Sequence, residues 1–565
     1  MIIITSSFKK MDNRGGMGDR EDSPDSVGYI EGDHPLRREL AAQSIKLLQL
    51  PISERSRNPS VSSSVTDLEA PMYSTSNLYS RDRALIGKQR GLNGKLAFAI
   101  SASALGSSFQ HGYNTGVFNA PQKLISEWIV DVLKNRSIAD GTVNPVIEQS
   151  QVTMIFAVAV SIFCAGGIIG GAATGYVAER FGRKGGLLIN NVFVVLAALL
   201  QGFSKAFSSY EMIILGRFLI GINSGLNAGL APMYLAEISP VHLRGAVGTV
   251  YQLVITISIV ISQILGLGGL LGTADGWPLL LAFTLVPGIY QMITLPFCPE
   301  SPKYILLSKG QELEAQRALS WLRGTIEVHD EMDEMRAEYE SIKLIPKVSL
   351  REMFTNAQLR IPLFISMTVM VAQQLSGINA VIYFSTKIFT MAQLSDTAAQ
   401  WATLGMGTMN VVMTLVSLVL VEISGRKTLL LIGFMGVFVV TVLLTIVMQF
   451  VEIFVMSIFC IILVIMFVVF FAVGPGSIPW FLVSELFSQS ARPLATSLAV
   501  SINWTANFIV GLGFLPIESI IHGYVFTIFA VLQAMFVLFI YKKVPETKNK
   551  TQEEIAAMFR QISYQ

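Results

Sequence analysis

Gln373-Gln374-Leu375-Ser376-Gly377-Ile378-Asn379-Ala380-Val381-Ile382-Tyr383-Phe384 is the stretch that decides how this chain folds. It lies inside an apolar run from about Ile361 to Phe389, long enough to cross a bilayer. Such a run should be apolar throughout, yet this one carries two adjacent amides, a hydroxyl, a glycine and a third amide, none of them charged. Amides in hydrocarbon need partners, so they should face a bundle interior or a wet cavity. On a helix Gln373 and Gln374 point about 100° apart; Gln373 shares a face with Ser376 and with Asn379 or Ala380. Gly377 can loosen the helix in mid-span, as in the broken helices of transporters. A lone amide would be read as glue between packed helices. The cluster beside Tyr383 and Phe384 points instead to a cavity lined for a solute.

The rest of the chain supports a membrane setting. Of its 565 residues 52% are hydrophobic and only 14% charged, and the mean hydropathy is +0.56. A soluble domain carries about a quarter charged residues. The net charge of +2 gives no reason to expect a nucleic-acid partner. Cys164, Cys298 and Cys460 are far apart and in or near apolar runs, so neither a disulfide framework nor a metal site is expected. Met1-Ile2-Ile3-Ile4 is too short for the core of a signal peptide. No cofactor is expected, and no cluster or nucleophile–base pair suggests an enzyme.

Residues 1–90 are polar and rich in Ser, Arg and Asp, and read as a disordered tail. Twelve apolar runs follow, at about 95–118, 153–177, 187–207, 211–234, 245–270, 277–297, 361–389, 401–421, 428–449, 453–483, 493–517 and 523–541. The expected organisation is a six-helix half over 91–297, a helical domain over 298–360, a second six-helix half over 361–541 and a tail over 542–565. Lys and Arg cluster before span 1 and after spans 2, 8 and 12, while the loops after spans 5, 9 and 11 have none. Both termini and the 298–360 domain are therefore expected to be cytoplasmic. The loop after span 1 is then outside, and there Asn135-Arg136-Ser137 is an accessible glycosylation sequon. Asn503-Trp504-Thr505 fits the same pattern but lies within a span.

The two halves repeat each other. Glu179-Arg180-Phe181-Gly182-Arg183-Lys184 follows span 2, and Glu422-Ile423-Ser424-Gly425-Arg426-Lys427 follows span 8. Glu237 and Arg244 after span 4 match Glu485 and Arg492 after span 10; Pro299-Glu300-Ser301 matches Pro545-Glu546-Thr547. Matches in the same order mean two parallel halves, the arrangement of the major facilitator superfamily, with the substrate between them near the midplane. Salt bridges among Glu179, Arg183, Glu237, Arg244, Glu422, Arg426, Glu485 and Arg492 are expected to latch the halves together when the outer side is open.

Several motifs together resemble the sugar porter family, most closely the animal facilitative glucose transporters. They are Gly112-Tyr113-Asn114-Thr115-Gly116-Val117, Gly216-Arg217-Phe218, Pro299-Glu300-Ser301-Pro302-Lys303, the central Gln-Gln-Leu-Ser-Gly-Ile-Asn, Gly474-Pro475-Gly476-Ser477-Ile478-Pro479-Trp480 and Pro545-Glu546-Thr547-Lys548. The resemblance covers about 95–560. It implies that a hexose, with D-glucose first, is held by Gln252, Gln373, Gln374, Asn379, Asn410, Trp480 and Asn507, with Tyr383 and Phe384 as the extracellular gate. It also implies the plasma membrane as location. Chemistry agrees, because a hexose is neutral and an amide both donates and accepts. An aromatic wall suits the C–H face of a sugar, and Trp480 can supply one. Ile255 and Ile259, one and two turns past Gln252, are expected to line the same cavity, as is Trp504. Gly474 to Pro479 must break span 10.

Gln374-Leu375-Ser376 goes with glucose-preferring members of that family. Three positions depart from its pattern: Ala472 stands where a glutamate is common, His111 where phenylalanine is usual, and Lys303 where arginine is usual. Proton-coupled relatives carry an acid where this chain has Asn114, and no charged residue is expected in the middle of any span. A proton relay needs an ionisable group, so the expectation is passive uniport with weak binding, on the order of −4 kcal/mol. A proton-coupled symporter and a non-transporting sugar sensor are the alternatives.

Overall fold

The computed structural model describes residues 92–565 apart from 144, 344–347, 489, 549, 551 and 565. The tail expected over residues 1–90 lies outside the described residues, as does the side chain of Glu422.

Each apolar run forms a helix. In the first half α1 runs Gly94–Ser103, then a wider π-type turn at Ala104–Ser108, then Phe109–Gly116. It is followed by α2 (Gln149–Phe181), α3 (Arg183–Phe203), α4 (Tyr210–Ile238), α5 (Arg244–Leu265) and α6 (Trp277–Phe297). In the second half α7 covers Ala357–Met391, α8 Asp396–Ile423, α9 Arg426–Val447, α10 Phe454–Leu486, α11 Arg492–Ile521 and α12 Val525–Lys543. Ten helical stretches among the described residues are long and apolar enough to cross a membrane. The stretch Arg492–Lys543 holds two of the twelve expected spans, α11 and α12, joined by a short turn at His522–Tyr524. The polar composition of α1 keeps it from being counted.

The connections carry structure of their own. The segment after α1, expected as a loop, forms the helix Gln122–Ala139, with Asn135 exposed in its last turn. Between the halves come helices Pro302–Lys309, Glu312–Arg323, His329–Lys343 and Leu350–Thr355. Ser301 caps the first, accepting from the Tyr304 N–H at 3.2 Å, and Gly310 ends it with φ of +66°. Lys303 pairs with Glu338 at 2.6 Å inside this group. A last helix, Gln552–Tyr564, lays Ile555 and Phe559 against the second half.

Small residues let the helices approach closely, as packing within a membrane requires. A Cβ on Gly166 of α2 would lie 2.2 Å from the Phe218 carbonyl of α4, and one on Gly221 of α4 2.1 Å from that of Phe163. Much of the outer surface is apolar, with Val412, Leu415, Val419, Phe454 and Val455 exposed, which suits lipid.

The buried apolar residues show how the halves meet. At the Tyr383 end one cluster runs through both, from Tyr113, Phe118 and Phe156 to Phe384, Phe389 and Phe514. At the end bearing Arg183 and Arg426 each half has its own cluster: one around Leu187, Leu235 and Leu295, another around Leu430, Leu482 and Ile540. The halves are closed on each other at the Tyr383 end, with separate cores at the charged end.

Candidate binding site and gates

Two helices are broken where the sequence carries its polar stretch. In α7 the helix loosens into a π-type turn over Gln374–Ile378, with Gly377 at φ +98°. Only glycine adopts that conformation at no steric cost, and a Cβ there would also press to 3.1 Å from the Phe529 ring. A break inside a membrane frees backbone carbonyls that must find donors. The Ser376 carbonyl accepts from Gln533 Nε2 at 2.6 Å, and the Gln373 carbonyl from Ser376 Oγ at 2.7 Å. In α10 the helix Phe454–Val473 stops at Gly474 and resumes as Ile478–Leu486, the break expected from the Gly474-to-Pro479 run. Its freed carbonyls, Pro475 O and Gly476 O, both accept from Gln373 Nε2 at 2.8 Å.

The other amides join this tie. Asn503 Nδ2 donates to Gln373 Oε1 at 2.8 Å, and Gln374 Nε2 donates to Asn503 Oδ1 at 3.0 Å. Asn379 Nδ2 donates to Gln374 Oε1. Tyr383 donates its hydroxyl to Asn507 Oδ1 at 3.0 Å. Gln373, Gln374, Asn379, Asn503 and Asn507 are all buried. The structure thus brings together four of the sequence-predicted amides on the second half. It adds Asn503, which the sequence presented only as part of a sequon in a span. Its signal was position: four residues before Asn507, it shares that residue's helical face.

Gln252, Asn410 and Trp480 form no side-chain hydrogen bond with this cluster among the described residues. Gln252 is exposed on α5, and no described residue engages its amide. Ile255 and Ile259 are buried on the same helix. Asn410 is half-buried, its carbonyl taken by Thr414 Oγ1 at 2.8 Å. Trp480, just past the α10 break, is 43% exposed. Trp504 is buried and crosses the seam between halves: it stacks on His111 at 5.9 Å, meets Phe163 edge-on at 5.9 Å and fills the space above Gly167. His111 in turn pairs Nδ1 with the Tyr251 hydroxyl at 3.1 Å. Ala472 is buried.

Tyr383 and Phe384 are buried in the closed end. Phe384 stacks on Phe514 at 5.3 Å, and the Tyr383 hydroxyl lies 3.6 Å from Cys164 Sγ of the other half. A stronger cross-half contact was not anticipated. Asn119, wholly buried just past α1, donates to Ser385 Oγ at 2.5 Å and to Ile382 O at 3.0 Å. Its Oδ1 accepts from the Thr386 N–H at 3.0 Å. Nearby, Lys123 and Asp396 form an exposed bridge of 2.7 Å, and the Gly268 N–H donates to Gln400 Oε1 at 3.2 Å.

At the charged end the expected latch takes a different form. Arg183 grips Glu237 through two bonds, Nε to Oε2 at 2.9 Å and Nη2 to Oε1 at 2.8 Å. Arg426 Nε donates to Glu485 Oε1 at 3.1 Å. Arg244 and Arg492 reach loop carbonyls, Ser239 O at 3.4 Å and Phe487 O at 3.2 Å. Glu179 is exposed, and its carboxylate has no partner among the described residues. Every pair lies within one half, so among the described residues no ion pair locks the halves together at this end. The physical reason is the conformation, which closes the opposite end. The repeat extends to the backbone bonds at the two corners. Glu300 accepts from the N–H groups of Arg183 and Lys184 at 3.0 and 2.9 Å, and Glu546 from those of Arg426 and Lys427 at 2.8 and 3.2 Å. Each carboxylate complements the start of a helix.

One expectation needs correction. Arg217, the eighth residue of α4, is a wholly buried ionised group inside a span. It donates to Asn114 O at 2.8 Å and Ala159 O at 3.3 Å, and lies 4.5 Å from both the Phe118 and Phe163 ring centres. Carbonyls and ring faces stand in for a counter-ion. A guanidinium does not give up its proton in proteins, so this charge is structural.

Two six-helix halves, two broken helices and neutral amides between them define a solute carrier of the major facilitator fold. The description "Sugar (and other) transporter" matches residues 99–559, and the chain belongs to that family. Among its relatives it is 43% identical over 514 residues to "Facilitated glucose transporter protein 1" of Caenorhabditis elegans, covering 90% of this chain and 99% of that one. It is 44% identical over 471 residues to "Solute carrier family 2, facilitated glucose transporter member 1" of Gallus gallus, covering 83% and 94%. Human "Solute carrier family 2, facilitated glucose transporter member 4" is also 44% identical, over 472 residues, covering 83% and 92%. Among solved structures, the partially occluded inward-open form of the E. coli xylose transporter XylE superposes with a TM-score of 0.68 at 23% identity, covering 81% of this chain and 100% of that one. That likeness concerns the fold.

Proposed function

We propose that this protein carries a neutral hexose, D-glucose before others, passively across the plasma membrane by alternating access. The observation that carries the proposal is the amide cluster of Gln373, Gln374, Asn379, Asn503 and Asn507 at the break of α7. Buried donors and acceptors must be satisfied, and these amides satisfy one another. A hexose offers hydroxyls that donate and accept, so it can exchange with those bonds at little net cost. Binding built on exchange is weak, and weak binding permits release on either side. The glucose transporters among the relatives, at 43–45% identity, support the same substrate.

Gln374, Asn379 and Asn507 would meet the sugar directly, with Gln252 and Asn410 from across the cavity and Trp480 and Trp504 as aromatic walls. Gln373, both of whose amide groups are engaged, would hold the site in shape. Transport would alternate the closed end described above with closure at the charged end, where Glu179, Arg183, Glu237, Arg244, Glu422, Arg426, Glu485 and Arg492 lie. Lys and Arg in the loops there favour the cytoplasm, with both termini and the 298–360 domain on that side. The exposed Asn135 would then be glycosylated outside. Asn114 donates to Thr284 Oγ1 at 2.8 Å and to Gln110 O at 2.8 Å. It supplies no carboxylate for a proton, which favours uniport.

The test is radiolabelled D-glucose uptake into proteoliposomes, with and without a pH gradient, competed by L-glucose and D-fructose. Stereospecific uptake that stops at equal concentrations and ignores the gradient is expected. Accumulation driven by protons would overturn the proposal.

A further inference from the structure

Gln263 of α5 is buried, with 2% of its surface exposed, and neither its Nε2 nor its Oε1 has a hydrogen-bond partner among the described residues. It lies at the closed seam between the halves. Its amide packs against α8, where a Cβ on Gly407 would come within 2.1 Å of Oε1. Thr403, one turn before Gly407, is also buried in this seam and shares a hydrogen bond of 3.0 Å with Thr386. An amide that served to glue the halves would be paired. This one makes no bond in the state where the seam is shut, and an unmade bond in a dry place is costly. Its partner therefore belongs to the state in which the seam is open.

Position identifies that partner. Eleven residues separate Gln252 from Gln263, which is three helical turns within about 20°. Gln252, Ile255, Ile259 and Gln263 thus share the face of α5 turned to the pathway, and Gln263 is about 16 Å along the axis from Gln252. A single hexose cannot span that distance, so Gln263 does not belong to the central amide cluster. We propose that Gln263 forms a second, outer hexose contact, with the Thr403 hydroxyl beside it, available only when the Tyr383 end is open. The proposal rests on the hexose-carrier function above. The chemistry is the same: a neutral amide and a hydroxyl suit a neutral polyol.

The test uses a bulky O-alkyl glucoside that binds but is not carried. It competes with radiolabelled D-glucose from outside on intact cells making the full chain, and from the other face on inside-out vesicles of the same cells. Gln263→Leu is compared with wild type and with Gln263→Asn, which keeps the amide and guards against a folding defect. The expected result for Gln263→Leu is an outside inhibition constant raised roughly three- to tenfold beyond any fall in the inside constant, the loss of one neutral hydrogen bond; a fall on the inside follows from removing the unpaired amide of the closed seam. Gln263→Asn should fall between. Equal constants on both faces for wild type and Gln263→Leu would overturn the proposal. So would an outside rise wholly accounted for by the inside fall, because that pattern reports only a shifted balance of conformations and no lost contact. Wild-type cells in which neither D-glucose nor the glucoside binds would defeat the carrier function itself, a failure distinct from the other two.

Discussion

Gln373 and Pro475 are joined by a hydrogen bond of 2.8 Å that ties the break in α7 to the break in α10. The same Nε2 reaches Gly476 O, so one side chain satisfies two carbonyls that the second break sets free. Removing it leaves buried acceptors without donors, at about 1–3 kcal/mol each. Gln373→Leu should lower the thermal midpoint of the detergent-purified protein and reduce D-glucose uptake. If the midpoint stays at the wild-type value, the tie between the breaks is not structural.

Asn119 closes the Tyr383 end through three hydrogen bonds to α7. Neutral bonds of this kind contribute about 1 kcal/mol each. Asn119→Ala should therefore move the resting balance toward opening of the Tyr383 end by a factor of ten or more, roughly 1.4 kcal/mol per decade. The readout is labelling of a Thr403→Cys reporter by an impermeant maleimide. Faster labelling in the Asn119→Ala background is expected; an unchanged rate would show that the clamp carries no weight.

Gly377 sits at a backbone conformation that costs an L-residue about 1–2 kcal/mol, against the ring of Phe529. Gly377→Ala should destabilise the fold by at least that amount and lower uptake at equal surface expression. Pairing it with Phe529→Leu should recover only the part due to contact with the ring, since the backbone strain remains. Full recovery would place the whole cost in that contact.

Glu485 accepts from Arg426 and, on its other oxygen, from Thr547 Oγ1 at 2.5 Å. Glu485→Gln keeps the shape and removes the charge. Transport at equal surface expression should slow, with Thr547→Val slowing it less. Unchanged turnover in Glu485→Gln would leave this corner without a part in the cycle.

Lys123 and Asp396 supply an exposed bridge across the closed seam. The hydrogen bond to Asp396, then its charge, raise the Lys123 ammonium above its ordinary value. A raised base contributes fully below its ordinary pKa, and that contribution is lost only as pH rises through the raised one. The bridge should therefore be indifferent to pH across the physiological range and sensitive to salt. Uptake by Lys123→Ala should differ from wild type less in high salt than in low salt.

Much of this was legible in the sequence because a membrane leaves a chain few choices. Runs such as 153–177 and 428–449 can only be spans, and the polar stretch at Gln373 could only be an interruption. The paired Glu-Arg motifs announced two halves. Pairing partners were harder to read, since spacing gives a face but not the conformation. Arg183, Glu237, Arg426 and Glu485 were in place, yet their bonds run inside each half. Nothing in the sequence marked Asn119 or Gln533: the first clamps α7 from across the seam, and the second answers a carbonyl freed by the break in α7. Arg217 was visible as part of a motif, but nothing in the sequence showed two aromatic rings enclosing it.

The capping of α3 by Glu300 bears on how the protein is made. The carboxylate that finishes the start of the third span comes from the segment after the sixth. During synthesis that helix end waits uncapped until the whole first half has left the ribosome, and then the half can close on itself before α7 exists. The second half waits in the same way for Glu546, beyond α12. In each half, then, one early helix start is completed only by a glutamate made after that half's last span.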